Sequence, residues 1–266
     1  MENVKTIVFD LDGTIYQNND FCADYIHFLL EDTDKTHWEK PLAEFVDGIL
    51  AGRNLTMNAY YKSDILPDTG IDDYFRGLKA ARLPDMPFEE AMARRDVIYL
   101  GDAWAVTCLV GKTLGLLENG RGDNVYRKTR EKMSRDGMFG DSRLREAIRE
   151  LSRHYETVLL TNSYEQTARD FLVQLGFQGI FRKVVYSANK PYEMVNSLAL
   201  QCPQLRSCPE SFLSVGDHAF NDLMPLKALG CRTLWINPFE NVRRYNADIT
   251  VGTLKELAEC LEHMCQ

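Results

Sequence analysis

Hydrophobic and polar positions keep one rhythm at the two ends of the chain and another in the middle. Residues 4–9 form a short run rich in β-branched side chains, stopped at once by Asp10 and a turn signal at Gly13. Such a run suits a buried strand of a parallel sheet, covered on both faces. From Asp141 onward, strand and helix patterns alternate. Leu144, Ile148 and Leu151 mark the apolar face of a helix that Asp141 or Ser142 is placed to cap. A strand is predicted at 157–160. A helix follows, with Ser163 and Gln166 as its capping box, Ala168, Phe171, Leu172 and Leu175 on its apolar face, and Gly176 as its stop. Further strands are predicted at 184–186, 211–215, 232–236 and 248–251. A last helix starts at Thr253, with Glu256 completing a capping box and Leu254, Leu257 and Leu261 facing inward. This alternation predicts an α/β fold, a Rossmann-like parallel sheet with helices on both faces.

Residues 17–138 lack that alternation. Leu42, Phe45, Val46 and Ile49 fall at helical spacing, as do Ile65, Ile71, Tyr74, Phe75 and Leu78. Pro41, Pro67, Pro84 and Pro87 punctuate helices, and only 104–110 reads ambiguously as helix or strand. The expected organisation is a core built from 1–16 and 139–266, with a mostly helical module inserted over 17–138.

Composition narrows the function classes. With 266 residues, 45% of them hydrophobic and 26% charged, the chain is long enough and apolar enough to bury a core. Its net charge of −8 leaves no basic surplus to neutralise a nucleic-acid backbone, although a single phosphate site needs only a few local donors. The longest apolar run, 103–111, is too short to span a bilayer, and acids appear too early for a secretory signal. Seven scattered cysteines with no C-x-x-C spacing point to a reduced, cytoplasmic protein without a disulfide framework or zinc site. Neither a nucleic acid nor a membrane is expected as a partner.

Four short segments carry chemistry, and each is expected at the carboxyl end of a strand, where open parallel sheets bind ligands. Asp10-Leu11-Asp12-Gly13-Thr14 places two carboxylates two residues apart on a loop. Ile15 stands where an EF-hand loop would need glycine, which excludes that reading. Thr161-Asn162-Ser163 joins a strand end to a helix start, offering hydroxyls and free N–H groups to an anion. Lys190-Pro191 follows Asn189, read as a helix cap with the proline in the first turn. Gly216-Asp217-His218-Ala219-Phe220-Asn221-Asp222 adds two further carboxylates.

Taken together and in this order, the four segments resemble the motifs of the haloacid dehalogenase superfamily: FDLDGT, TNS, KP and GDHAFND. The resemblance covers 1–16 and about 141 to the C-terminus, and the insert is placed like the helical cap of many members. It implies a Mg²⁺-dependent phosphatase acting on a small phosphorylated metabolite of the phosphoglycolate, nucleotide or sugar phosphate type, through an aspartyl-phosphate on Asp10. Asp10 would be the nucleophile and Asp12 the general acid and base. Thr161, Asn162 and Lys190 would hold the phosphate oxygens. Asp10, the backbone carbonyl of Asp12 and Asp217 would hold the metal, with Asp222 orienting Lys190 or metal water. Within the superfamily, dehalogenases lack the aspartate two residues after the nucleophile, so Asp12 argues against carbon–halogen chemistry. The alternatives are a mutase of the β-phosphoglucomutase type, or a binding or regulatory protein that kept the fold. His218 is expected to face solvent, the alternative being a contact with substrate or metal water. Pro225 is expected to distort or delay the helix after Asp222. Gly111-Lys112-Thr113 lacks the first glycine of a P-loop, since Val106 stands there.

Overall fold

The first strand, β1 (Thr6–Phe9), is buried along its whole length, as the β-branched run requires. Residues 3–67 and 69–265 are described by a computed structural model. Met1, Glu2 and Gln266, which fall in the expected core ranges, and Asp68, in the expected insert, lie outside the described residues. After β1 the chain runs through α1 (Phe21–Leu30), α2 (Glu39–Leu50), β2 (Tyr60–Lys62), α3 (Ile71–Ala80), α4 (Phe88–Ala93), β3 (Val97–Tyr99), α5 (Ala103–Thr113) and α6 (Arg121–Asp136). It continues with α7 (Ser142–His154), β4 (Glu156–Leu160), α8 (Glu165–Gln174), β5 (Lys183–Val185), α9 (Met194–Gln201), β6 (Phe212–Gly216), α10 (Met224–Ala228), β7 (Arg232–Ile236), β8 (Ile249–Val251) and α11 (Leu254–Met264). Two compact units result: Met1–Gln17, Gly137–Pro238 and Tyr245–Gln266 form one, and Asn18–Asp136 with Phe239–Arg244 the other.

The first unit holds a six-stranded sheet in the order β5-β4-β1-β6-β7-β8, every pair parallel. Phe9 lies opposite Leu159 on one side and Val215 on the other. The chain therefore reverses its direction of travel across the sheet at β1. That switch point sets the loops after β1, β4 and β6 side by side, which is where such sheets bind ligands. Helices are anchored as their caps dictate. Asp141 accepts from the Leu144 N–H at 2.8 Å, and Thr253 from the Glu256 N–H at 3.1 Å. Val8, Val158, Leu160, Leu198, Phe212 and Leu226 pack into one apolar cluster of this unit. Each such burial contributes about 1.5–3 kcal/mol.

Two expectations fail locally, and a third, at Pro225, holds. Ser163 and Gln166 form no capping box: α8 begins at Glu165 behind Tyr164, the Ser163 hydroxyl goes elsewhere, and Gln166 bonds Asp170 at 2.9 Å. Asn189 caps no helix, because α9 starts only at Met194 and Asn189 sits in a left-handed turn at φ 49°. After Asp217 the chain makes a wide π-helical turn, Ala219–Leu223, before α10 admits Pro225 in its first turn, where no N–H is needed. Distortion and delay both occur.

The second unit is mostly helical, and the ambiguous stretch at 104–110 lies inside α5. β2 and β3 pair antiparallel, a small ribbon that periodicity does not announce. Ile65 is 69% exposed rather than part of the apolar face of α3. Arg121 donates to the carbonyls of Leu29 and Glu31 at 2.9 and 2.6 Å, closing the C-terminal end of α1 with a cation. Tyr74 and Thr113, both buried, share a 2.8 Å hydrogen bond that ties α3 to α5. Segment Phe239–Arg244 joins this unit through main-chain bonds: Met57 N–H to Asn241 O at 3.0 Å, and Arg243 N–H to Met57 O at 2.9 Å. Among the described residues, no helix is long and apolar enough to cross a membrane.

Candidate active site

The three adjacent strand ends, with the neighbouring loop after β5, concentrate buried charge. Asp10 directly follows β1, Asp217 follows β6, and Asp222 lies one wide turn further on; all three are buried. Lys190, on the loop after β5, is buried with them. Its ammonium donates to Asp10 Oδ1 at 2.5 Å and to Asp222 Oδ1 at 2.7 Å. Asp222 Oδ2 accepts the His218 N–H at 3.0 Å, so both of its oxygens are engaged. Thr14 Oγ1 stands 3.4 Å from Asp10 Oδ2, a weak contact that leaves this oxygen the less occupied one.

Asp12 occupies different surroundings. It is half-buried; Oδ2 accepts from the Ser163 hydroxyl at 2.9 Å, and Oδ1 accepts from the Tyr16 hydroxyl. Two aspartates two residues apart are thus sorted, one against an ammonium and one against two neutral hydroxyls. Thr161 is buried and accepts the Ser163 N–H at 3.0 Å. Asn162 clamps the backbone of Lys190 from both sides: its Oδ1 accepts the Lys190 N–H at 2.6 Å, and its Nδ2 donates to the Lys190 carbonyl at 3.0 Å. All seven residues singled out in the sequence therefore lie on these loops, with Asp10, Lys190 and Asp222 in direct contact.

Tyr16, the Ser163 contact to Asp12 and the burial of His218 were not legible in the sequence. His218 is 5% exposed, not solvent-facing; its Nδ1 accepts the Asn221 N–H at 3.2 Å and caps the wide turn. That corrects the expectation of an open loop side chain. The signal was the turn itself, since a side chain two to three residues before free N–H groups is placed to cap them.

Electrostatics decide what the cluster needs. Burial pushes the Asp10 carboxyl up to about 8, against the pull of Lys190, while Asp222 and Asp12 push it the same way as burial. For Lys190, burial favours the neutral amine, but Asp10 and Asp222 outweigh it and the net shift is upward. Lys190 is therefore an ammonium, and this one positive charge lies among the carboxyl groups of Asp10, Asp217 and Asp222. Asp10, Asp217 and Asp222 bring one oxygen each within 4.8 Å of one another. Oxygen donors at that density fit a hard divalent cation. The Asp217 carboxylate packs directly on the backbone of Gly13, φ +79°, where an added Cβ would fall 2.0 Å from Asp217 Oδ2. Each Asp222 oxygen already accepts one N–H, from Lys190 and from His218, and keeps a lone pair, so all three carboxylates have capacity for a metal.

A family model described as haloacid dehalogenase-like hydrolase matches residues 4–230. Among solved structures, YfnB of Bacillus subtilis, named as a HAD-hydrolase bound to magnesium, shares 19% identity at a TM-score of 0.56, covering 97% of this chain and 99% of that one. A protein of Thermotoga maritima named as a β-phosphoglucomutase shares 13% identity at 0.51, covering 98% and 99%. The L-2-haloacid dehalogenase RSc1362 shares 14% at 0.52, also covering 98% and 99%. No curated protein matches the chain in sequence. Likenesses this remote speak to the fold; it is the family model, spanning all four motif loops, that establishes that this chain belongs to the haloacid dehalogenase-like hydrolases.

Proposed function

We propose that the protein is a Mg²⁺-dependent phosphatase that hydrolyses a small phosphomonoester through an aspartyl-phosphate on Asp10. The observation that carries this reading is the sorting of Asp10 and Asp12 into unlike environments. Two carboxylates with separated surroundings are what a nucleophile and a general acid require. An Asp10 oxygen attacks phosphorus and the bond to the alkoxide leaving group breaks. Asp12 gives that alkoxide its proton. Asp12, now a carboxylate, takes a proton from water as the water oxygen attacks the phosphoryl group, releasing inorganic phosphate and restoring Asp10.

Lys190, held by Asp10, Asp222 and the Asn162 clamp, stays charged and offers its ammonium to a phosphate oxygen; Thr161 and the Asn162 backbone sit on the adjacent loop for the others. Asp222 positions Lys190 rather than touching substrate. The Ser163 and Tyr16 hydroxyls fix the Asp12 carboxyl at its place. Asp10, Asp217 and the Asp12 carbonyl would hold Mg²⁺, which offsets repulsion between an anionic nucleophile and an anionic phosphate when bound. The inserted helical module is assigned the choice among small substrates, and the cytoplasm is the compartment we assign. A mutase would share the first half of this chemistry and differ in passing the phosphoryl group to a second hydroxyl instead of water.

The test is turnover of a panel of phosphomonoesters with and without chelator, for the wild-type protein and Asp10→Asn. Release of phosphate that needs Mg²⁺ and is lost in Asp10→Asn supports the reading. Full activity after chelation, or in Asp10→Asn, overturns it.

A further inference from the structure

Aromatic exposure in this chain is uneven. Of its 12 tyrosines, the two classed as exposed are Tyr164 and Tyr192, at 51% and 54%. Both stand on the loops that carry the anion-binding groups. Tyr164 follows Ser163, which bonds Asp12 at 2.9 Å. Tyr192 lies two residues past Lys190, which bonds Asp10 at 2.5 Å. The chain allows Cα separations of about 4 Å for the first step and at most about 7 Å for the second.

These loops are fastened to each other. The Thr161 N–H reaches Val185 O at 3.0 Å, Ala188 N–H reaches Thr161 O at 3.0 Å, and Ser187 N–H reaches Ser163 O at 3.1 Å. The Asn162 side chain adds its two bonds to the Lys190 backbone. Ser187 and Asn189 are held in the left-handed region at φ 47° and 49°. Non-glycine residues keep that conformation only where their surroundings enforce it, commonly at functional sites. The third tyrosine of the pair of loops, Tyr186, is half-buried with the Arg169 guanidinium 5.1 Å from its ring centre. Lys190 is the only base within 161–165 and 186–193, and a glutamate, Glu165 or Glu193, follows each exposed tyrosine.

We propose that Tyr164 and Tyr192 form an aromatic rim at the edge of the phosphate site that stacks against a flat ring carried by the substrate. Phosphomonoesters bearing a nucleobase, the nucleoside monophosphates, are then the preferred class. The inference rests on the phosphatase reading above and adds the identity of the leaving group. A tyrosine presents an apolar ring face while its hydroxyl stays in water, so it can remain exposed between turnovers and still stack when ligand arrives.

The experiment compares kcat/KM for nucleoside monophosphates with that for ringless glycerol phosphate, in the full chain and in Tyr164→Ala, Tyr192→Ala and the corresponding phenylalanine variants. Stacking of this kind predicts a loss of about five- to tenfold per alanine for the nucleotides, little change for glycerol phosphate, and recovery with phenylalanine. Equal losses on both substrates, or none on the nucleotides, overturn the rim. Calorimetric binding of a nucleoside monophosphate to Asp10→Asn separates the two readings. Binding that weakens with either alanine, in a protein that hydrolyses no phosphomonoester, keeps the rim and removes the phosphatase. Binding indifferent to both tyrosines removes the rim, whatever the turnover.

Discussion

The two units bury charge in opposite ways. In the sheet unit, Asp10, Asp217, Asp222 and Lys190 are buried against one another just beyond strand ends. In the helical unit, Arg130 is the buried charged side chain among the described residues, and its guanidinium lies 4.3 Å from the ring centre of Trp104 and 5.1 Å from that of Tyr126. A cation laid on aromatic faces is held by packing and ring quadrupoles, which suits a structural role. Carboxylates crowded around one ammonium are held at a cost that packing does not repay, and such crowding is what a reaction centre requires. On the phosphatase reading proposed above, the contrast separates the part of the molecule that would perform chemistry from the part that supplies shape.

The largest expected effect falls on the sheet unit. Asp10→Asn should lower kcat by about a hundredfold or more while circular dichroism and Tm stay close to wild type, since the amide keeps the shape and loses the nucleophile. Retained turnover would erase the distinction between the units. A paired glycine experiment sharpens it. Gly13→Ala places its methyl against Asp217 and strains a left-handed backbone, so activity should collapse and Mg²⁺ affinity fall, with about 1–2 kcal/mol of stability lost. Gly70→Ala meets nothing within 4 Å but sits at φ 113° and ψ 161°, a region nearly reserved for glycine; it should cost about 1–3 kcal/mol in chemical denaturation and leave kcat alone.

In the helical unit, Arg130→Met should lower stability by about 2 kcal/mol through lost stacking on Trp104, read from the denaturation midpoint, with kcat on a generic aryl phosphate nearly unchanged. A collapse of kcat there would mean that the buried cation serves the reaction. The smallest effects should come from Ser163→Ala and Tyr16→Phe. Each removes one hydroxyl from Asp12, a contact of about 1 kcal/mol, and should slow alkyl phosphates several-fold more than aryl phosphates, whose leaving groups need little protonation.

The same division governs what the sequence makes legible. In the sheet unit, strands are short and apolar, loops are brief, and a carboxylate at a strand end has one place to go. The order of Asp10, Thr161, Lys190 and Asp217 along the chain therefore reads directly as a set of neighbours. Ser163 was misread because a serine before a helix caps it in most local contexts, whereas here its hydroxyl serves Asp12, distant in the chain. Tyr16 was hidden for the same reason: its bond to Asp12 closes a turn that has no periodicity. In the helical unit, amphipathic spacing finds α2 and α3, but three-residue strands such as β2 and β3 carry too few positions to show alternation. The assignment of Phe239–Arg244 to that unit depends on main-chain bonds to Met57, which no side-chain pattern encodes.

The central claim is that Asp10 takes the phosphoryl group. Rapid acid quench of the enzyme with Mg²⁺ and a phosphomonoester, followed by peptide mass spectrometry, observes this step itself. A phosphoryl group on the peptide containing Asp10, labile to hydroxylamine and absent in Asp10→Asn, is the expected result. Phosphate release with the modification on another residue, or with no modified peptide during a pre-steady-state burst, would contradict it.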